Sequence, residues 1–297
     1  MANDIVVLAG SNGDLGGRIA RALVARGATV RALVRADAAP NKLAAVTRTG
    51  ATPVPVDFDD RDALVAACTG AVCVVSALSG LEPVIVDAQG KLLDAAVAAG
   101  VPRFIPSDFS IDYTALPPGS NRNFDLRRRF RARLDAAPIR ATSIFNGAFA
   151  DMLAGEMPLI VRPLHRVLYW RSADQKFALT TKDDTAAFTA AAALDPKPPR
   201  DLHVAGTEAS SRDLAAIMTR LTGRRYRPMR AGSLSGLQRL TGIVRRLFPG
   251  KGQVFPPWQG MQYLHNMFSG LAPSAPLDNH RYPGLTWTGI DKVLAPR

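Results

Sequence analysis

Short, uninterrupted apolar runs alternate with amphipathic segments through the first hundred residues of the chain. The run at 5–9 is typical of a strand that is buried on both faces of a parallel sheet. A glycine-rich turn follows this run, and residues 15–25 have the apolar spacing of a helix. A second apolar run occupies 29–34. The order strand, turn, helix, strand predicts a βαβ unit with parallel strands.

The alternation continues further along the chain. The same criteria predict strands at 52–56, 71–75, 103–106, 140–145 and 202–205. They predict helices at 60–67, 83–99, 121–136, 182–194, 208–221, 232–246 and 257–269. Proline and glycine are concentrated at 247–260 and 270–284, and we predict long loops there.

Three glycines follow the first predicted strand with the spacing Gly10-x-x-Gly13-x-x-Gly16. Between a strand and a helix, this spacing permits a tight turn and brings a pyrophosphate close to the free N–H groups of the helix. A glycine-rich turn without a ligand is the alternative. We predict that the whole turn binds a dinucleotide, through Gly10, Ser11, Asn12, Gly13, Asp14, Leu15 and Gly16.

The end of the second predicted strand distinguishes the two nicotinamide cofactors. An acidic residue at this point binds the ribose 2′-hydroxyl of NAD, whereas a cation accommodates the 2′-phosphate of NADP. The strand is followed by Arg35, and Lys42 lies at the start of the next helix. We therefore predict NADP(H) in preference to NAD(H). The alternative is that both cations are solvated surface charges.

Other candidates follow further predicted strands, at the edge of the sheet where a dinucleotide would lie. Asp57 follows the third strand and is expected either near the adenine or as the N-cap of the helix at 60–67. Small and polar residues follow the fourth and sixth strands. Those that we expect to contact the cofactor are Ser76, Ala77, Leu78, Asn146 and Phe149.

These patterns predict an α/β fold, a Rossmann-type doubly wound parallel sheet with a smaller α+β substrate domain formed by the later chain. We expect residues 1–150 to form the NADP-binding domain. Residues 151–297 are expected to form mostly the substrate-binding domain, with some segments returning to the central sheet.

Composition narrows the class of protein. Hydrophobic residues make up 47% of the 297 positions and charged residues 21%, as in ordinary globular proteins. Two cysteines exclude a disulfide scaffold, and no Cys/His cluster has zinc spacing, so no metal is expected. No apolar run approaches the length of a membrane helix and no basic leader is evident. We therefore expect a cytoplasmic protein without membrane contact.

The net charge of +12 raises the question of an anionic partner. Arginine-rich runs at 127–133 and 223–230 are candidates for nucleic-acid contact. Both are short, and no signature of a nucleic-acid-binding fold accompanies them. We expect no nucleic-acid partner, and we assign part of the charge to the cofactor phosphate.

The glycine motif, Arg35, the helix around Gln89 and the stretch Arg103-Phe-Ile-Pro-Ser-Asp-Phe109 together resemble the NmrA-like and isoflavone reductase-like families. These families are atypical short-chain dehydrogenase/reductases with an NADP-binding Rossmann domain. The resemblance implies that Gln89 and the loop after the fifth strand contact the cofactor. The loop residues concerned are Ser107, Asp108 and Phe109.

The resemblance also points to Arg127. In the reductase branch, a lysine on the helix after this loop acts as general acid or base, and alignment places Arg127 at that position. Arginine does not release its proton near neutral pH, although it can polarise a carbonyl or bind an anion. Other candidate proton donors are His165 and Tyr169, and further ones are Tyr113, Tyr263 and His265.

Two functions follow from this comparison of motifs. The reductase branch implies an NADPH-dependent reductase of a small, largely apolar carbonyl or enone substrate, which could be aromatic. The NmrA branch implies a non-catalytic NADP(H) sensor that acts through a homodimer or a protein partner. The absence of lysine at position 127 favours the second function, whereas the rest of the motif set is common to both.

Overall fold

The structure is a computed structural model that describes residues 4–155, 157–272 and 275–295. Its strands are β1 (Ile5–Ala9), β2 (Thr29–Arg35), β3 (Thr52–Val56), β4 (Cys73–Ser76), β5 (Arg103–Ile105), β6 (Arg140–Ala141), β7 (Ser143–Phe145), β8 (Ala148–Phe149), β9 (Ile160–Val161), β10 (Arg166–Trp170), β11 (Phe177–Thr180), β12 (Asp201–His203), β13 (Thr207–Ala209) and β14 (Arg227–Gly232). Its α-helices are α1 (Asp14–Ala25), α2 (Pro40–Thr47), α3 (Arg61–Cys68), α4 (Gln89–Ala98), α5 (Arg122–Asp135), α6 (Lys182–Leu194), α7 (Ser211–Thr222), α8 (Leu234–Leu247), α9 (Pro257–Ser269) and α10 (Ile290–Leu294).

Six parallel strands form the central sheet in the order β3-β2-β1-β4-β5-β6. The chain proceeds from β1 outward to β3, crosses to β4 on the other side of β1, and continues outward to β6. The direction of winding therefore reverses between β1 and β4. Val6 to Ala9 of β1 are fully buried, as the uninterrupted apolar run predicts. The predicted doubly wound α/β fold is confirmed.

The later chain contributes to this sheet and also builds a second core. Thr142 donates its N–H to Phe104, and Ser143 donates to Arg200, so β6 and β7 are successive halves of one strand between β5 and β12. Two small sheets, β14-β10-β9 and β13-β11-β8, pack with helices around a separate apolar cluster. Across the residues that the structure describes, no helix is both long and apolar enough to cross a membrane.

Several predicted element boundaries and one predicted cap differ from the structure. The predicted helix at 83–99 is a π-helical segment, Pro83–Ala88, followed by α4. The helix predicted at 208–221 begins at Ser211, because Ser210 and Asp213 form a capping box ahead of it. Asp60, not Asp57, is the N-cap of α3 and accepts a hydrogen bond from Ala63. The N-cap alternative for Asp57 is therefore wrong.

Gly16 and its neighbour Gly17 offer a matched test of the packing at the start of α1. A Cβ atom on Gly16 would lie 2.1 Å from the carbonyl oxygen of Gly10, whereas one on Gly17 would lie 3.4 Å from that of Ser11. We expect Gly16→Ala to lower the free energy of unfolding by about 2 kcal/mol or more. Gly17→Ala should be neutral or raise it by up to about 1 kcal/mol. Chemical denaturation measures the free energy of unfolding of both variants. Equal stability of the two would contradict the close approach of Gly16 to Gly10.

Candidate functional site

The glycine-rich turn brings β1, α1 and β4 closer together than larger residues would allow. Gly10 has a φ of +85°, and a Cβ atom on it would lie 2.5 Å from the carbonyl oxygen of Ala77. The N–H of Ala77 donates to the carbonyl of Ala9 at 2.9 Å, which holds the ends of the two strands side by side. The winding reverses at this point, and dinucleotides bind at such a reversal.

The turn leaves the N-terminus of α1 without a side-chain cap. Gly13 occupies the N-cap position, and its own N–H donates to the carbonyl of Gly10 at 3.0 Å. The first N–H groups of a helix have no partner within the helix, and they carry a partial positive charge. The arrangement therefore suits a phosphate group, as the glycine spacing predicts.

Three buried polar side chains at the same edge of the sheet have hydrogen-bonding atoms without partners among the described residues. They are the hydroxyls of Ser11 and Ser76 and both amide atoms of Asn146. Ser11 follows β1, Ser76 ends β4, and Asn146 follows β7. A buried polar atom without a partner costs about 1–3 kcal/mol and is uncommon in native proteins. Their arrangement fits a polar ligand that supplies the missing hydrogen bonds.

Arg35 and Lys42 are exposed near the carboxyl end of β2. The side chain of Arg35 is 74% exposed, and its Nε atom lies 3.1 Å from the carboxylate of Asp37. Lys42 is in the first turn of α2. Asp57 follows β3 and is also exposed, and its carboxylate accepts a hydrogen bond from the N–H of Asp59. Both cations are thus accessible to a ligand phosphate.

Hydrogen bonds from three directions hold the loop after β5. The N–H of Ser107 donates to Gln89 at 3.0 Å, and its hydroxyl donates to the carbonyl of Leu78 at 2.7 Å. The guanidinium of Arg127 donates to the carbonyl of Ser107 at 2.9 Å and to that of Asn123 at 3.3 Å. Arg127 therefore braces this loop through backbone contacts. Gln89 reaches Ser107 from the first turn of α4, directly after the π-helical segment.

Asp108 is a buried residue of this loop, and its carboxylate accepts a hydrogen bond from the hydroxyl of Ser143 at 2.6 Å. Burial raises the pKa of Asp108, and this effect outweighs the hydrogen bond from Ser143 and the positive charge of Arg127. Burial and the neighbouring Asp108 also raise the pKa of Tyr113 well above its ordinary value. Tyr113 therefore stays protonated at neutral pH.

Sequence reasoning missed a pair formed by Asp112 and His203. The Nε2 atom of His203 lies 2.9 Å from the carboxylate of Asp112, and the imidazole ring packs against Phe145 with centroids 5.2 Å apart. Burial disfavours the charge on Asp112, yet hydrogen bonds from His203 and Thr114 hold its pKa below the ordinary value. The pair joins residues 91 positions apart. The signal that could have indicated this pair is His203 at the end of β12, a late strand that returns to the sheet.

The remaining predicted cofactor residues have contacts with the protein. The carboxylate of Asp14 pairs with Arg18 at 2.7 Å and Lys182 at 2.8 Å, and hydrogen bonds from these two cations lower its pKa. These pairs tie the start of α1 to the start of α6. Of the others, Asn12 is exposed, and the residues packed in or against the main apolar core are Leu15, Ala77, Phe109 and Phe149.

Two of the candidate proton donors lie in or next to the sheet formed by β14, β10 and β9. Tyr169 is a residue of β10, and His165 lies in the turn before it with a φ of +50°. The ring of His165 packs edge-on against Tyr226, with centroids 5.2 Å apart. Tyr169 packs against the second apolar core. These contacts give both side chains structural roles within that sheet.

Helix α9 carries the other two donors. The hydroxyl of Tyr263 accepts a hydrogen bond from Asn123 at 3.2 Å, and burial lowers the pKa of His265. The aromatic residues Trp170 and Phe268 are buried against each other in the second core, with ring centroids 5.5 Å apart. Both rings are therefore part of that apolar core.

The fold and the glycine-rich turn define a Rossmann-type α/β protein. The model of the NmrA-like family matches residues 2–243, and the chain belongs to that family. Its sequence is 32% identical over 209 residues to pinoresinol reductase 1 of Arabidopsis thaliana, a match that covers 65% of each chain. The chain thus spans about 65% of the length of this relative.

Two further similarities extend over the whole chain. Bifunctional pinoresinol-lariciresinol reductase 2 of Thuja plicata is 25% identical, with 97% of each chain covered. A solved structure of AtPrR2 with NADP⁺ and (+)pinoresinol superimposes with a TM-score of 0.82 at 24% identity, covering 99% of this chain and 98% of that one. The fold is therefore shared along nearly the full length.

Asn146 and Asn121 provide a matched test of the unpartnered amide. Both are buried, but the amide of Asn121 bonds to Gln259 at 2.8 Å and Asn266 at 3.2 Å. We expect Asn146→Leu to leave the free protein as stable as before or more stable, because a buried amide without a partner is removed. Asn121→Leu should destabilise it by about 1–3 kcal/mol.

The two variants should also differ in ligand response. NADP⁺ should raise the melting temperature of the wild type through binding to the native state, and Asn146→Leu should reduce this rise. Thermal unfolding with and without NADP⁺ measures both effects. A destabilised Asn146→Leu variant with an unchanged NADP⁺ response would show that the amide has a structural partner instead.

Proposed function

We propose that the chain is an NADPH-dependent reductase of a small, largely apolar carbonyl or enone, with aromatic compounds among the candidate substrates. The observation that carries the proposal is the set of unpartnered buried groups on Ser11, Ser76 and Asn146, at the reversal point of a doubly wound sheet. Membership of the NmrA-like family and similarity to proteins named as pinoresinol and lariciresinol reductases support it.

In this proposal the glycine-rich turn and the start of α1 hold the pyrophosphate. Arg35 and Lys42 hold the 2′-phosphate, since both are exposed cations near the end of β2. Ser76, Asn146 and Phe149 lie toward the nicotinamide end. When bound, NADPH supplies a hydride. The chain contributes orientation, exclusion of water and the hydrogen-bonding groups named above.

The division of labour between the two parts of the chain is part of the same proposal. Residues 1–150 hold the cofactor, and residues 151–297 supply most of the substrate side while returning α6 and β12 to the central sheet. A cytoplasmic location and a small-molecule substrate accompany this proposal.

The proton for the reduced substrate has several candidate sources. Arg127 remains a candidate for binding or polarising the substrate, although its guanidinium braces the loop after β5. His165, in the turn before β10, and Tyr169, in β10 itself, also carry exchangeable protons. His203 is a further source, because it ends β12 beside β7 and is oriented by Asp112.

Arg35 tests the choice of cofactor. Its replacement by alanine removes a charged donor for the 2′-phosphate, which NADPH has and NADH lacks. We expect Arg35→Ala to weaken NADPH binding by about tenfold or more and to leave NADH binding unchanged. The control is Arg26→Ala, which removes an exposed arginine directly after the last residue of α1. Fluorescence titration measures both affinities, and equal loss for the two cofactors would contradict the assignment.

Turnover separates the reductase from the sensor. The protein should oxidise NADPH in the presence of at least one member of a panel of carbonyls and enones that includes aromatic ones. Absorbance measures the oxidation, and product analysis identifies the reduced compound. When activity is expressed per folded molecule, Asn146→Leu should lower this turnover more than Asn121→Leu does. Tight NADPH binding without turnover across the panel would favour the non-catalytic NADP(H) sensor.

A further inference from the structure

Helix α8 exposes a row of apolar side chains. Its inner face, with Leu237 and Thr241 buried, packs against α9. The exposed row consists of residues three and four positions apart, which share one side of a helix, and it continues into the residue after the helix. These residues, here called the α8 face, are Leu240, Ile243, Leu247 and Phe248, with 50%, 56%, 65% and 63% of their surfaces exposed.

Unpaired positive charges lie beside the α8 face. Arg239 and Arg246 are exposed and seven positions apart, so they lie on the same side of the helix. In the described part of the chain, no carboxylate lies within ion-pair distance of either side chain, and α8 itself contains no acidic residue. A third cation, Arg245, is directed elsewhere and lies over the ring of Trp258 at 4.9 Å.

The surrounding sequence has the same charge bias. Residues 214–277 contain eight arginines and one lysine and no aspartate or glutamate. This segment therefore carries nine of the twelve net positive charges of the chain. By contrast, arginines elsewhere commonly pair with acids, as Arg129 does with Glu82 at 2.7 Å. Together the exposed apolar row and the unpaired charge define a cationic amphipathic surface.

We propose that the α8 face docks on an anionic lipid bilayer, a peripheral contact that departs from the expectation of no membrane contact drawn from the sequence. Its apolar side chains would enter the boundary between head groups and acyl chains, while Arg239 and Arg246 contact lipid phosphates. A second copy of the chain fits less well, because an isologous contact would bring like charges together with no acid in the segment to neutralise them. A nucleic acid would neutralise the arginines and leave the apolar row in water.

Vesicle binding by the full chain tests this docking surface. Wild-type protein should cosediment with vesicles of equal parts phosphatidylcholine and phosphatidylglycerol. It should bind vesicles of phosphatidylcholine alone about tenfold more weakly or worse, since each arginine near an anionic surface adds attraction. Added salt should weaken the binding, because it screens exposed charges.

Two double variants separate the apolar and charged contributions. The first double variant combines Ile243→Ser and Leu247→Ser, and the second combines Arg239→Gln and Arg246→Gln. Each should reduce binding to the anionic vesicles by about tenfold or more. The controls are Leu164→Ser, an exposed leucine elsewhere, and Arg26→Gln with Arg48→Gln, which remove two exposed charges from the sheet domain. The controls should bind like the wild type, and thermal unfolding checks that all variants are folded.

Three results would overturn the proposal. The first is wild-type protein that does not bind the anionic vesicles, or folded variants that bind them as the wild type does. The second is a dimer, seen by sedimentation velocity, that the serine variant abolishes while vesicle binding is absent. The third is binding to an oligonucleotide that depends on Arg239 and Arg246 but is indifferent to Ile243 and Leu247, again without vesicle binding.

Discussion

The approach of α1 to the turn after β1 is the constraint on which the site depends. Atoms of Gly10 lie where a side chain on Gly16 would be, and the carbonyl of Ala77 lies where one on Gly10 would be. Glycine at both positions lets the helix start directly at the ends of β1 and β4. That approach brings the helix N-terminus and the hydroxyls of Ser11 and Ser76 to the reversal of the sheet. The unsatisfied groups weaken the free protein and favour a form with a polar ligand.

Two ion pairs, one exposed and one partly buried, then connect the later chain to this edge. Asp14 pairs with Lys182 at the start of α6, and Arg131 on α5 pairs with Asp201 on β12 at 2.7 Å. Exposed ion pairs contribute little to stability. The value of these pairs is positional, because they fix where α6 and β12 join the sheet. Asn146 follows β7, so its position also depends on β12.

Much of this architecture could be predicted from sequence because the inner strands are buried on both faces and therefore appear as uninterrupted apolar runs. The short strands β8, β9 and β13 have two or three residues each, too few to show a period. At the site, the glycine turn has a local signature. The Asp112–His203 pair has none, because its members meet only after β12 returns to the sheet. The capping role of Asp60 was missed because several acidic residues precede α3, and local geometry selects among them.

The position of Arg127 limits the chemistry of any reaction at this edge. Its guanidinium donates to the carbonyls of Ser107 and Asn123, and its charge favours ionisation of the buried Asp108. Arginine fills both roles because it stays protonated at neutral pH. A proton shuttle has to gain and lose a proton, which arginine does not do. Any proton transfer at this edge would therefore fall to a side chain other than Arg127, which compensates the charge of Asp108. If the chain reduces its ligand, a group such as His203 would supply the proton. Arg127 would compensate the charge of Asp108 whether or not turnover occurs.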